Sequence, residues 1–325
     1  MATIPAAPQE IASRISSSAR RGWLREQLPY LLTLLSAVTI VVITCMIVLQ
    51  LFDNSALSRH KSGWSFLFTH TWDPIAGIFG AVPFIYGTVV TSALALIIAV
   101  PVGIGAAIFL AELAAPQISN LLTFLIELLA AVPSVIYGLL GIFILVPILN
   151  AYVVPVLKSV FGFLPIFKGA FYGVSLFSAG VVLSIMIVPF VVSVSREILI
   201  SVPRDLREAS LGLGATRWET TWQVVMPFAR RGIMGSVFLA LARALGETMA
   251  VTMVIGNTPK VQTSLLAPGY SIAAVIANEF SEATGDLYLS ALIELGLVLF
   301  MLTIVINGLA RLLIMATTRR GEKFA

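Results

Sequence analysis

The chain has 325 residues, of which 58% are apolar and only 11% charged, and its mean hydropathy is +1.00. Soluble domains carry roughly 25% charged and 45–50% apolar residues, so a soluble enzyme, a disordered chain and a coiled coil are excluded and a multi-span membrane protein remains. The net charge of +4 comes from cations that form no nucleic-acid stripe, which makes a topological role the better account of them. Cys45 stands alone, and His60 and His70 have no acidic cluster beside them, so neither a disulfide framework nor a metal site is expected.

In chain order, residues 1–28 read as a cytoplasmic tail carrying Arg14, Arg20, Arg21 and Arg25. The uncharged run Gln27–Phe52 that follows is too long for a signal-peptide core and has no cleavage site after it, so it reads as a first membrane helix. A helix rises about 1.5 Å per residue, so about 20 residues cross the hydrocarbon. Five further spans are predicted by this test at Pro83–Leu110, Leu121–Leu149, Gly173–Val194, Pro227–Ile255 and Tyr288–Ile314. The expected fold is therefore all-α and polytopic, with a membrane domain over 29–316 and a second cytoplasmic tail at 317–325.

With six spans both termini share a side, and the Lys/Arg distribution decides which. Fourteen cations fall on the terminal face and five on the other, Arg59, Lys61, Lys158, Lys168 and Lys260. The terminal face is thus expected to be cytoplasmic. Trp23, Trp64, Trp72, Trp218 and Trp222 all lie outside these spans, as expected of interfacial aromatics. Pro101, Pro133 and Pro189 fall inside spans and predict bends, which serve either packing or a pathway.

The loop between spans 4 and 5, residues 201–227, predicts a helix-turn-helix. Ser201 is placed to cap a short helix that has Pro203 in its first turn and Asp205 and Glu208 near its positive end. Gly212 and Gly214 then break it, and Thr216-Arg-Trp-Glu219 is a capping-box pattern that starts a second helix. Within it, Glu208-Ala209-Ser210, three residues, Gly214, nine residues and Val224-x-Met226-Pro227 resemble the "EAA" loop of ABC importer permeases. The second Ala is Ser here, Ile is Val and Leu is Met. The resemblance implies that Arg207, Glu208, Ala209 and Gly214 belong to a coupling helix that docks on a cytoplasmic ATPase, with Arg207 and Glu208 pairing across that interface. No G-x-x-x-x-G-K-[ST] occurs in the chain. ATP and Mg are therefore expected on a partner subunit, with no cofactor and no enzymatic activity here.

Four ionisable residues lie in or at the ends of the spans: Glu127, Arg243, Glu247 and Glu294. Each costs roughly 2.5–3.5 kcal/mol at a helix centre, so a partner or a wet cavity is expected. Arg243 and Glu247 are four apart and on one helix would share a face, either as a structural ion pair or as an anion site. The guanidinium fork matches an oxyanion, and Glu247 could accept a hydrogen bond from a protonated one, which phosphate can offer at neutral pH and sulfate cannot. Glu127, Ser134 and Tyr137 are further pathway candidates, since Ser134 lies seven residues after Glu127; packing alone would also explain them. Glu294 could simply sit near the outer end of span 6.

Arg243-Ala-Leu-Gly-Glu247-Thr-Met-Ala-Val-Thr-Met-Val-Ile-Gly-Asn257 resembles the span-5 signature of phosphate importer permeases. The stretches 80–88, 131–138 and 267–280 are similar to the PstC-type subunit of that family. The resemblance implies a PstA-type sister permease, two copies of a cytoplasmic ATPase, an external phosphate-binding protein, the bacterial inner membrane and no nucleic acid. The competing readings are a permease for sulfate or molybdate, a secondary anion transporter, and a membrane scaffold or sensor. The ATPase-docking loop speaks against the last two, which do not need one.

Overall fold

The computed structural model describes the backbone of residues 8–321 and the side chains of Gln27 and residues 29–312. The tail cations Arg14, Arg20, Arg21, Arg25, Arg319, Arg320 and Lys323, together with Trp23, lie outside the described side chains. Among the described residues every regular element is a helix, apart from one bridge between Asp73 and Ile78. Six helices are long and apolar enough to cross a membrane: Pro29–Asn54, Val82–Leu113, Ser134–Phe161, Leu176–Ile200, Arg217–Gly246 and Asp286–Leu312.

The chain divides into two units, residues 1–53 and 54–325. The first holds helix α1 (Pro8–Asn54), whose Tyr30, Leu35, Ile40, Met46 and Leu49 are all exposed, so it is apolar around its circumference. The second unit begins with a short helix α2 (Ala56–Ser62) and a 3-10 turn, then enters α3 (Val82–Leu113) with Pro83 in its first turn, where the missing N–H costs nothing. After α4 (Pro116–Ala130) come α5 (Ser134–Phe161) and α6 (Leu176–Ile200). The loop helix α7 (Arg204–Gly212) leads to α8 (Arg217–Gly246) and α9 (Met249–Ile255). Helices α10 (Ile272–Glu279) and α11 (Asp286–Gly321) complete the unit.

Helix α6 is the centre of the unit. Its Leu183, Met186, Ile187 and Val191 are buried against Ala95 and Ala99 of α3, Ala240 and Ala244 of α8, and Val251 and Val254 of α9. Small residues facing α6 let the backbones approach, which is how helices associate where lipid offers no hydrophobic drive. A Cβ on Gly103 would stand 2.7 Å from Val191, and one on Gly141 would stand 2.8 Å from Val182. The tightest approach is at Gly87, where a Cβ would stand 2.0 Å from the Tyr270 carbonyl oxygen. Because that neighbour is backbone, Gly87→Ala is expected to destabilise by roughly 1–3 kcal/mol or more. Thermal unfolding of the assembled complex in detergent checks this; an unchanged midpoint would show that the Tyr270 segment yields freely.

Two expected spans are corrected. The single span Leu121–Leu149 is instead α4, a break at Ala131–Pro133, and α5 running on to Phe161. Pro133 lacks an N–H and drives its predecessor out of the helix, so the chain stops and restarts. The single span Pro227–Ile255 starts earlier, at Arg217, and ends at Gly246; Glu247 is extended at φ −69, ψ 128, and α9 is a separate helix. By contrast, Pro101 and Pro189 stay within continuous helices. Pro147, Pro155 and Pro227 do so as well, each just after a π-turn, at Gly141–Leu145, Leu149–Val153 and Thr221–Val225. The wider turn relieves the clash between a proline ring and the carbonyl four residues back.

Trp72, which lies outside the six helices as expected, is buried within the protein and packs edge-on against Phe79 and Phe84. Its Nε1 donates to Glu279 Oε2 at 2.9 Å, and the Tyr288 hydroxyl donates to the same oxygen at 2.6 Å. Nearby, burial raises the Tyr270 phenol above its usual range, and its oxygen accepts from Asn278 Nδ2 at 3.1 Å. These contacts fix the inter-span loops to the start of α11.

Candidate functional site

The two broken spans meet. A Cβ on Gly138 of α5 would stand 2.5 Å from Met253 Sδ and 3.3 Å from Ala250 Cα of α9, so the restarted halves of both spans are in close contact. Non-helical backbone at membrane depth is tolerated where it is buried in protein or lines a cavity. The Tyr137 hydroxyl donates to the Leu129 carbonyl at 2.7 Å, reaching back across the 131–133 break to satisfy a helix-end acceptor. Tyr137 is thus held in the core, and Ser134 beside it is half-buried.

Arg243 projects from α8 next to this junction. Its guanidinium carbon lies 5.8 Å from the centroid of the Phe190 ring of α6, within cation–π range. Among the described residues no carboxylate lies within 4 Å of it, and Arg243 is exposed within its span. The expected pairing with Glu247 on one helical face does not form, because the helix ends between them. Glu247 Oε1 instead accepts from Ala250 N–H at 3.3 Å at the start of α9, leaving Oε2 without a hydrogen bond among the described residues. Glu127 is exposed on α4. The 131–133 break separates it from Ser134, so the seven-residue spacing does not place the two on one face. Glu294 is buried in α11, and its Oε2 has no hydrogen-bond partner among the described residues. Phe190 escaped sequence reading because nothing local marks an aromatic in an apolar helix as an arginine's neighbour.

The loop between α6 and α8 forms the expected helix-turn-helix. Gly214, at φ +90, makes the turn in a conformation that only glycine adopts without strain. The capping box is complete: Glu219 N–H donates to Thr216 Oγ1 at 3.3 Å, and Thr216 N–H donates to Glu219 Oε2 at 2.7 Å. The Ser201 cap does not form. Its hydroxyl donates to the Ile198 carbonyl, and Pro203 precedes the first turn of α7 instead. Ser210, the departure from the "EAA" pattern, shares a 3.0 Å hydrogen bond with Thr220, linking the two helices of the loop.

Glu208, Ala209 and Leu213 are exposed on α7 and its turn. Arg207 is not free for a partner beside them. Its Nη2 donates to Glu112 Oε1 at 2.8 Å and its Nε to Glu112 Oε2 at 3.2 Å. The expected pairing of Arg207 across an interface is thus replaced by an internal one, and Glu112 is the residue that sequence reading missed. Its only signal was an acidic side chain closing a span on a face rich in cations.

The family described as "Binding-protein-dependent transport system inner membrane component" matches residues 99–319. The chain belongs to this family of inner-membrane permeases. Within the family, the permease is 44% identical over 324 residues to the "Phosphate transport system permease protein PstC" of Mesorhizobium japonicum, covering 98% of this chain and 99% of that protein. It is 47% identical over 292 residues to the protein of the same name from Pasteurella multocida, covering 88% and 91%. Among solved structures, the permease resembles a chain of "a bacterial ABC transporter involved in the import of the acidic polysaccharide alginate", with TM-score 0.54 and 18% identity over 92% of this chain and 98% of that one. That likeness shows the shared permease fold.

Proposed function

We propose that this permease is the membrane-spanning subunit of an ABC importer and carries inorganic phosphate inward. The observation that carries the reading is Arg243: a permanent cation within a membrane span, without a carboxylate partner among the described residues, beside the junction of two broken helices. Phosphate replaces the missing counter-charge, and Glu247 Oε2 accepts the proton of its monobasic form, a contact that sulfate cannot make. Glu127, Ser134 and Tyr137 are assigned to the approach to this point.

The exposed face of α7, with Glu208, Ala209 and Gly214, docks on one of two copies of an ATPase that hold ATP and Mg. A PstA-type sister permease completes the pathway, and an external phosphate-binding protein delivers the ion. The excess of Lys and Arg on the terminal face supports a cytoplasmic position for both termini. Vesicles reconstituted with these partners should take up labelled phosphate only with internal ATP, and excess sulfate should not compete. Uptake that survives ATP depletion and collapses with an uncoupler would overturn the ABC reading, and full competition by sulfate would overturn the substrate.

A further inference from the structure

Where the cytoplasmic ends of three helices converge, Arg207 makes four hydrogen bonds. Two go to the carboxylate of Glu112, at the end of α3, and two to the carbonyl oxygens of Leu199 and Val202, at and just beyond the last turn of α6. The Arg207 and Glu112 side chains retain only 19% and 9% of their exposure. Carbonyls at a helix C-terminus have no partners of their own and carry the negative end of the helix dipole, so a cation there is favoured twice over. The carboxylate adds a fork-to-fork contact, whose two parallel bonds fix orientation as well as distance.

We infer that the Glu112–Arg207 pair is a mechanical strut that transmits movement of α7 to α3, and that both are positioning residues for transport. The covalent route from α7 leads only to α6, through Ser201–Pro203, and to α8, through the Gly214 turn. No peptide connection carries a displacement of α7 directly to α3. An apolar contact would resist α3 being pushed but would let it part under tension. A half-buried bidentate ion pair resists both, because separating it leaves two charges unpaired in a poorly solvated site. Since α3 and α6 pack on each other through Gly103 and Val191, the strut makes α3, α6 and α7 move as one body at this end. It thereby brings the span that carries Gly87 under the control of the docking helix.

This inference rests on the proposed ATP-driven reading, and the test separates the two. The complete complex, carrying Glu112→Gln or Arg207→Lys, is reconstituted and the phosphate taken up per ATP hydrolysed is compared with wild type. Glu112→Gln keeps the shape and removes the charge, whereas Arg207→Lys keeps the charge and removes the fork. Both variants should assemble and hydrolyse ATP, with the transport ratio reduced at least about fivefold, the lower end of coupling between sites. An unchanged ratio in assembled complexes would overturn the strut. Failure to assemble, or equal loss of hydrolysis and uptake, would also overturn it by making the pair a simple anchor. Wild-type uptake independent of ATP would instead overturn the underlying reading.

Discussion

Arg243→Gln is expected to abolish phosphate uptake while the complex still assembles. The guanidinium makes no ion pair among the described residues, so removing its charge orphans no carboxylate among them. Among the described residues, its charge supports the cation–π approach to Phe190, worth about 0.5–2 kcal/mol. Loss of a charge-assisted contact to an oxyanion that the assembled pathway shields from water is larger, roughly 2–5 kcal/mol, which corresponds to a fall in uptake of more than about tenfold. Uptake by the reconstituted complex and its yield from detergent are measured together. Normal uptake would make Arg243 structural; loss of both would show that α6 and α8 depend on it.

Glu208→Lys is expected to weaken capture of the ATPase on purification and to lower uptake, with the permease itself intact. Glu208 is exposed on α7, and no described contact within the chain depends on it. The neighbouring Arg207 is already committed to Glu112 and to two carbonyls, so the reversed charge acts outward. Reversing a rim charge typically alters association more than folding. If the ATPase co-purifies normally and uptake is undiminished, α7 is not the docking element in the manner proposed.

What could be read from the chain divides by the range of the interaction responsible. Glu219 satisfies the N–H of Thr216 only three residues away, so local spacing announces the capping box. Gly214 likewise declares its turn, because no other residue adopts its φ at so little cost. Six apolar segments follow from hydropathy alone. Their interruptions do not, because hydropathy is blind to the backbone: Ala131-Val132-Pro133 and Gly246-Glu247-Thr248 are as apolar or as helix-compatible as residues that continue a helix elsewhere. Pro133 breaks its span, whereas Pro101 and Pro189 do not, and what surrounds each of them decides. The partners of charged groups were the least legible. Glu112 meets Arg207 from 95 positions away, a contact that only packing of α3 on α6 creates.

The turns before Pro147, Pro155 and Pro227 have a consequence for how this chain tolerates change. Each inserts one residue relative to an unbroken helix, rotating everything after it by about 100°. The segments on either side therefore keep separate phase, and a stripe that looks continuous on a wheel drawn through Thr221–Val225 is in reality two stripes on different sides of the rod. Proline and surplus residue are a matched pair: substituting Pro227 removes the reason for the wide turn, and deleting one residue from that turn removes the room for the proline. If the turn closed to a regular one with every residue kept, Arg243, sixteen residues further on, would swing away from its present direction, whereas deleting one residue would keep that direction and set the Pro227 ring against the carbonyl four residues back.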